Sequence, residues 1–435
     1  MAQTTGIFRL KEHGTTVGKE IGAGLTTFLT MAYILAVNPA MLGSIGNGMT
    51  PAAVFTATAI AAAIATIVMA LLANLPIALA PGMGLNAFFT YTVVGAMGYT
   101  WQIALTAVFI EGLLFVLLSL VNVREAIISA IPVTLKKAVA VGIGFFIALI
   151  GLENAQIVVA APTLITRGSF ANNQALLGII GIGIIAVLYV RKIPGSILLG
   201  ILATTIIGIP FGITKIPADF NPVSAPAAPL LFQFDFSQIL TFNFLAVLFT
   251  FLFVDIFDTV GTLVGVTTQA GIHTKDGAVP RAKQALLSDA LGTIAGAALG
   301  TSTVTSYIES TAGVAAGGRT GLTALTTAVL FLAAVVLSPV FLLIPVAATA
   351  SALVFVGFMM MSTASGINFK DPTEGIPAFL TIAAMPFFYS IGDGIALGII
   401  TYTLLKLVSG KVKELNAVTI VMCIVFVARF FVFNH

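Results

Sequence analysis

Long apolar runs dominate this chain, and they leave few folds open. A helix needs about 20 such residues to cross a bilayer, and runs of that kind recur near 20–43, 52–73, 83–98, 101–121, 133–152, 174–190, 194–212, 243–269, 283–300, 306–317, 320–338, 345–364, 374–389 and 392–408. The runs are rich in Ala, Leu, Ile and Val and do not alternate, so they predict helices and not barrel strands. Composition supports that reading. Lys, Arg, Asp and Glu make up 8% of the 435 residues, where a soluble domain carries roughly 25%. This excludes a cytosolic enzyme, a secreted disulfide scaffold, a disordered chain and a nucleic-acid binder. The single cysteine, Cys423, excludes an internal disulfide and a thiolate metal site.

Charge placement fits fourteen spans with a cytoplasmic N-terminus. The inner segments then hold 16 of the 19 basic residues, among them Lys19, Arg124, Lys136, Arg191, Lys275, Arg319 and Lys411, while the outer side holds Arg167 and Lys215. Such segregation follows the positive-inside rule. Arg429 lies in a final run, 417–433, which is either a further span or an interfacial segment. The N-terminus lacks the basic start and short apolar core of a cleavable signal. Residues 213–242 read as a Pro- and Ala-rich outer linker between halves.

The halves echo one another. Thr106-Ala107-Val108 leads to Ile131-Pro132-Val133, and Thr327-Ala328-Val329 leads to Ile344-Pro345-Val346, each where the fourth helix of its half hands over to the fifth. Seven helices is an odd number, so the second half enters from the opposite side, the inverted-repeat plan of many secondary transporters. Spans three and ten are irregular in matching places. The third opens with Pro76, Pro81, Gly82 and Gly84; the tenth opens with Gly300-Thr301-Ser302-Thr303-Val304-Thr305-Ser306. Each reads as an extended segment feeding a half-helix, and a matched pair of broken segments points to a transporter's binding site.

Carboxylates inside the spans carry the functional argument. One at mid-bilayer costs roughly 2.5–3.5 kcal/mol, yet Glu111, Asp255, Asp258, Asp289 and Glu309 all fall there. Asp255 and Asp258 at i, i+3 share a helical face, about 5–6 Å apart at Cβ. So close a pair in a low dielectric does not readily ionise twice, which suits a proton-coupled carrier. Glu309 stands at the start of the tenth half-helix, where N–H donors and the positive dipole end are available. Asn86 occupies the comparable place on the third; a plain N-cap is the alternative reading. Glu111 reads as structural, and Asp289 as a cap or a partner of Arg281 or Lys283. Carboxylates and an amide suit a neutral, planar solute with N–H donors and would repel an anion. Phe28, Phe88, Phe89 and Tyr307 offer stacking faces. Gly292, Gly296 and Gly300 form a close-packing stripe. No phosphate loop is present, and no His cluster suggests a metal, so no cofactor is expected.

The segments GMGLNAFF (82–89), FVDIFDTVGTL (253–263) and TSTVTSYIESTAGVAAGGRTGL (301–322) resemble the AzgA-like guanine/hypoxanthine permeases of the nucleobase–cation symporter 2, or nucleobase–ascorbate transporter, superfamily. The likeness runs over nearly the whole chain. It implies an all-α membrane protein of about fourteen helices in a 7+7 inverted repeat with helices 3 and 10 broken. It implies a core domain (1–121 and 243–338) and a gate domain (122–242, which includes the linker, and 339–435, which includes the tail). It implies uptake of purine nucleobases with protons through an inner or plasma membrane. By matching motifs, Asn86, Asp255 and Glu309 would contact substrate, with Gly84 and Ser310 beside them; Glu309, Asp258 and Asp255 would serve coupling. Uracil and xanthine members often carry a histidine or another residue where Asp258 stands, which favours the purine branch. A homodimer through the gate domain is compatible with this reading. The rival readings are an anion carrier of the related sulfate-transporter fold, which the acids oppose, and an intramembrane hydrolase, whose paired aspartates would sit on separate helices.

Overall fold

A computed structural model of the chain describes residues 7–120, 132–162, 164–272 and 279–432. Arg124, Ile131, His273, Lys275 and His435 lie outside the described residues, as does the side chain of Arg429.

Helices follow the apolar runs. In chain order they are α1 (Val17–Met31), α2 (Ile34–Gly43), α3 (Pro51–Val68), α4 (Met83–Ala87), α5 (Trp101–Leu120), α6 (Val133–Asn154), α7 (Asn173–Val190), α8 (Ser196–Ile207), α9 (Phe242–Ala270), α10 (Ala282–Leu299), α11 (Ser310–Ala315), α12 (Gly321–Ala334), α13 (Ser338–Leu342), α14 (Val346–Met360), α15 (Pro372–Phe387), α16 (Ile391–Val408) and α17 (Ala417–Val432). Among the described residues, nine helical segments are long and apolar enough to cross a membrane. Hydroxyl caps set several starts: Thr16 accepts from the Lys19 N–H, Thr50 from Ala53 and Thr241 from Phe244. The first span is interrupted between α1 and α2 at Ala32–Tyr33, a break the sequence reading did not anticipate. The run at 417–433 is helical to Val432.

Spans three and ten are broken as expected. Strand β1 (Leu79–Pro81) precedes α4, which continues as a π-helix over Phe88–Ala96. A hairpin of β2 (Val158–Ala161) and β3 (Leu164–Arg167) follows α6. Strand β4 (Val304–Ser306) precedes α11. β1 and β4 pair antiparallel, with Leu79 opposite Ser306, Ala80 opposite Thr305 and Pro81 opposite Val304. Because each strand runs into its own helix, α4 and α11 leave from opposite ends of one two-stranded ribbon, and both N-termini point back at it.

Small residues let helices close around the ribbon. A Cβ on Gly292 would lie 2.5 Å from Ala65 Cβ, and one on Gly296 would lie 3.0 Å from the Ser302 carbonyl oxygen. The stripe on α10 therefore packs against α3 and the segment before β4. Gly300 ends α10 at φ +92°, a conformation that favours glycine. Glu20, fully buried on α1, accepts from the backbone N–H of Arg319 (3.0 Å), Thr320 (3.2 Å) and Thr323 (3.2 Å) and from the hydroxyls of Thr320 (2.8 Å) and Thr323 (2.6 Å). Its charge is thereby held at the positive N-terminal end of α12.

The chain divides into two compact units: Met1–Leu120 with Gly151–Phe355, and Val121–Ile150 with Val356–His435. The first contains the ribbon. In the second, the buried Lys406 on α16 pairs with Glu374 (2.6 Å) and Glu414 (2.5 Å), and Lys411 pairs with Asp371 (2.6 Å). These ion pairs fasten the start of α15 to the end of α16 and the turn before α17. Lys411 beside Asp371 holds that carboxyl well below its ordinary range, with help from the Thr373 hydroxyl and N–H.

Candidate functional site

Hydroxyls of the segment leading into α11 reach successive neighbours. Thr301 Oγ1 accepts from Asn38 Nδ2 (2.9 Å), and Ser302 Oγ donates to Asn86 Oδ1. Thr303 Oγ1 donates to Glu111 Oε2 (2.7 Å), and Thr305 Oγ1 donates to Asp258 Oδ2 (3.2 Å). The Val304 carbonyl accepts from Thr293 Oγ1 (3.0 Å). Tyr307 Oη donates to the Pro81 carbonyl. One extended segment is thus stitched to α2, α4, α5, α9 and α10. Extended backbone keeps consecutive side chains on opposite sides, so hydroxyls at 301, 302, 303 and 305 can serve partners all around the strand.

The first broken segment contributes main chain. Leu79 N–H donates to Thr66 Oγ1 (2.9 Å), and the same hydroxyl donates to the Leu79 carbonyl (3.1 Å). Ala78 N–H donates to Ser310 Oγ (3.0 Å), the Ala78 carbonyl accepts from Tyr307 N–H (3.0 Å), and Gly82 N–H donates to the Thr303 carbonyl (2.9 Å). Gly82, just past the end of β1, has no room for a side chain beside β4. A Cβ there would lie 2.8 Å from Thr305 Oγ1 and 3.5 Å from Asp258 Oδ2.

The predicted residues separate into two groups. Glu309 and Asp258 are half-buried at the ribbon and close enough for their charges to interact. Glu309 Oε1 accepts from Tyr33 Oη (2.7 Å), and Tyr307 feels the charge of both acids. Glu309 occupies the N-cap position of α11, although its side chain makes no capping bond. Asp255 is fully buried on α9, and its Oδ1 lies 3.2 Å from Thr259 Oγ1, which also lies 2.7 Å from Asp289 Oδ1 on α10. Asn86 is fully buried; Gly82, not Asn86, is the N-cap of α4. Its Oδ1 is taken by Ser302, while its Nδ2 makes no hydrogen bond within the described chain. Gly84 sits buried in the first turn of α4. Ser310 holds Ala78 through its Oγ. Phe88 and Phe89 pack on Phe251 at 4.8 and 6.5 Å between centroids, so they form core.

Asp289, expected beside Arg281 or Lys283, is bonded through Thr259 instead; Arg281 donates to the Ala73 carbonyl and Lys283 to the Leu120 carbonyl. Among the described residues no His, Cys, Asp and Glu group could hold a metal ion.

Comparison with known proteins bears on this arrangement. The Xan_ur_permease model, described as the Permease family, matches residues 18–396. The chain belongs to this family. The permease is 47% identical to the putative permease MJ0326 of Methanocaldococcus jannaschii, over 97% of each chain. It is 44% identical to the adenine permease AdeP of Escherichia coli, over 97% of this chain and 95% of that one. It is 45% identical to the guanine/hypoxanthine permease PbuO of Bacillus subtilis, over 98% and 100%. Among solved structures, the transmembrane domain of the cyanobacterial bicarbonate transporter BicA matches with TM-score 0.67 at 17% identity, covering 88% of this chain and 97% of that one. The murine anion transporter Slc26a9 in its inward-facing state matches with TM-score 0.62 at 12% identity, covering 90% and 68%. These structural likenesses give the fold alone, the 7+7 inverted repeat of a multi-pass membrane permease.

Tyr33 and Asn38 escaped the sequence reading, whereas Glu111, read as structural, does bond Thr303. The signal for the first two was a polar residue within an apolar run, at 33 and 38, the same signal that singled out the acids.

Proposed function

We propose that this permease carries purine nucleobases together with protons, binding the base beside Glu309 and Asp258. One observation carries the reading: two half-buried carboxyls, Asp258 bonded to Thr305 of β4 and Glu309 bonded to Tyr33, stand at the ribbon where α11 begins. A flat heterocycle with N–H donors suits acceptors of this kind, and two acids oppose an anion. The substrates in the names of AdeP and PbuO, adenine and guanine/hypoxanthine, support the purine class.

In this scheme Glu309 accepts from an N–H edge of the base. Asp258, adjacent and tied to Thr305, shares the coupling role, because protonation of one carboxyl lowers the charge that opposes crossing. Asn86 Nδ2, buried and without a partner, is the donor that a ring nitrogen or carbonyl would satisfy, since such groups rarely stay unmet. Gly84 keeps the start of α4 slim. Asp255 and Ser310 act through what they hold, the Thr259–Asp289 contact and the Ala78 N–H. Helices of the core (1–121, 243–338) move against the gate (122–242, 339–435) in an inner or plasma membrane, with the N-terminus cytoplasmic. One charge moved through 100 mV supplies about 2.3 kcal/mol, roughly 50-fold accumulation.

The test is uptake of labelled hypoxanthine into proteoliposomes under an imposed pH gradient. Gradient-dependent uptake lost in Glu309→Gln is expected. Uptake indifferent to the gradient overturns the coupling, and inhibition by sulfate or bicarbonate in place of purines favours the anion reading.

A further inference from the structure

Part of the connection between α8 and α9 departs from the linker reading given to 213–242. Residues 230–240 read Leu-Leu-Phe-Gln-Phe-Asp-Phe-Ser-Gln-Ile-Leu, with Asp235 their one charge. They are pinned, not loose. Phe232 N–H donates to the Ala298 carbonyl at the end of α10 (2.8 Å), and Asp235 N–H donates to Thr106 Oγ1 in the first turns of α5 (2.8 Å). Leu230 lies against Gly300, with its Cβ 2.6 Å from where a Gly300 Cβ would stand. Despite this anchoring, large apolar side chains face outward: Phe232 is 68% exposed, Phe236 49% and Leu240 92%.

The exposed face continues the exposed apolar stripe of a helix long and apolar enough to cross a membrane. On α5, Leu113, Leu117 and Leu120 are exposed along a single stripe of a membrane-length helix, and Phe109 is the residue of that stripe one turn nearer the helix start. Phe109 stacks on Phe234 at 4.6 Å between centroids, and Phe234 meets Phe232 at 6.3 Å and Phe236 at 6.1 Å. An unbroken apolar path therefore runs from the lipid-facing side of α5 onto the strap. Phe and Leu side chains of a segment lying along the bilayer surface bury in the boundary between headgroups and acyl chains, and exposed apolar patches of this kind mark an interaction surface.

We propose that residues 231–240 form a membrane-interface anchor, with Phe232, Phe236 and Leu240 seated in the bilayer boundary beside the start of α5. The occupant is phospholipid, because the patch is continuous with the lipid-facing stripe. The proposal stands whatever the permease carries.

Spin labels at cysteines placed at 232, 236 and 240, each in a Cys423→Ala background and in proteoliposomes, test it. Labels at Lys215 and Asp219, both exposed, give the aqueous reference. The expected result is stronger relaxation by oxygen than by a water-soluble nickel chelate at 232, 236 and 240, and the reverse order at 215 and 219. Nickel-dominated relaxation at all five sites overturns the anchor. Spin–spin broadening that vanishes on dilution with unlabelled protein overturns it in favour of a second copy of the chain. Phe236→Trp keeps an aromatic ring and guards against misfolded label variants. Quenching by phospholipid brominated near the headgroup, beyond that of the Trp101 signal in the parent, is expected. Its absence, with quenching by iodide instead, again places the strap in water.

Discussion

The two strands of the ribbon meet over three residue pairs, yet they solve the same problem with opposite chemistry. β1 and its flanks are built from Pro, Ala, Leu and Gly, and they offer main-chain N–H and C=O groups to Thr66, Ser310 and Tyr307. β4 and its flanks are built from Thr, Ser and Tyr, and they offer hydroxyls to Asn38, Asn86, Glu111 and Asp258. Extended backbone at membrane depth must be satisfied by protein. A slim strand lets a neighbour come close enough to do this. A strand of hydroxyls reaches outward to the neighbours instead. One strand of each kind lets the crossing close on itself while its rim still holds carboxyls.

The sharpest test of this contrast is Glu309→Gln on the hydroxyl-bearing side. Glutamine keeps an oxygen for Tyr33 but loses the charge, so uptake should fall about 10- to 100-fold, the worth of a charge-assisted hydrogen bond, while melting of the purified protein stays near the parent value. On the slim side, Gly82→Ala puts a methyl 2.8 Å from Thr305 Oγ1. Forcing the strands apart should destabilise by about 1–3 kcal/mol and impair uptake by moving Thr305 off Asp258; normal melting and transport would mean that β1 is slim for no steric reason. Thr303→Val removes the hydroxyl from which Glu111 Oε2 accepts. A loss of about 1–3 kcal/mol is expected in thermal denaturation, with the apparent hypoxanthine affinity retained, which would mark Glu111 as a holder of the strand. Tyr33→Phe removes one donor to Glu309 and should change apparent substrate affinity about fivefold, near 1 kcal/mol, without lowering the melting temperature.

The smallest effect lies away from the ribbon. Asp371 is held below its ordinary value of 3.8, chiefly by Lys411. A carboxyl depressed in the folded state stabilises above its unfolded value and loses that contribution as pH falls through the folded one. The parent should therefore lose melting temperature more steeply than Asp371→Asn below about pH 4, and parallel curves would show the exposed pair to be idle.

Much of the crossing was legible one strand at a time. Pro76, Pro81 and Gly82 interrupt a helix, and a run of β-branched and hydroxyl residues from Thr301 reads as extended. That the two segments pair with each other was not legible, since nothing in either run names its partner more than two hundred positions away. Asp255 and Asp258 show the limit of spacing arguments. Three residues at 100° each leave the side chains 60° apart on the helix, close enough to share a face by rule. Yet α9 meets β4 on one side of that face and α10 on the other, so Asp258 bonds Thr305 while Asp255 lies against Thr259, whose hydroxyl reaches Asp289. Residues 230–240 were grouped with a Pro-rich linker because a sequence window averages over them; their exposed aromatic face depends on where Ala298 and Thr106 hold the backbone.

By itself the sequence determined that this chain lives in a bilayer, that spans three and ten are broken and which costly polar groups it retains there. Those properties follow from transfer free energy and backbone sterics, which act on each segment separately. Only the tertiary structure decided which broken segment meets which, and which acid stands beside Glu309. Such choices rest on close approach at Gly82 and on hydroxyl reach from β4, contacts that exist only once helices distant in the chain have packed together.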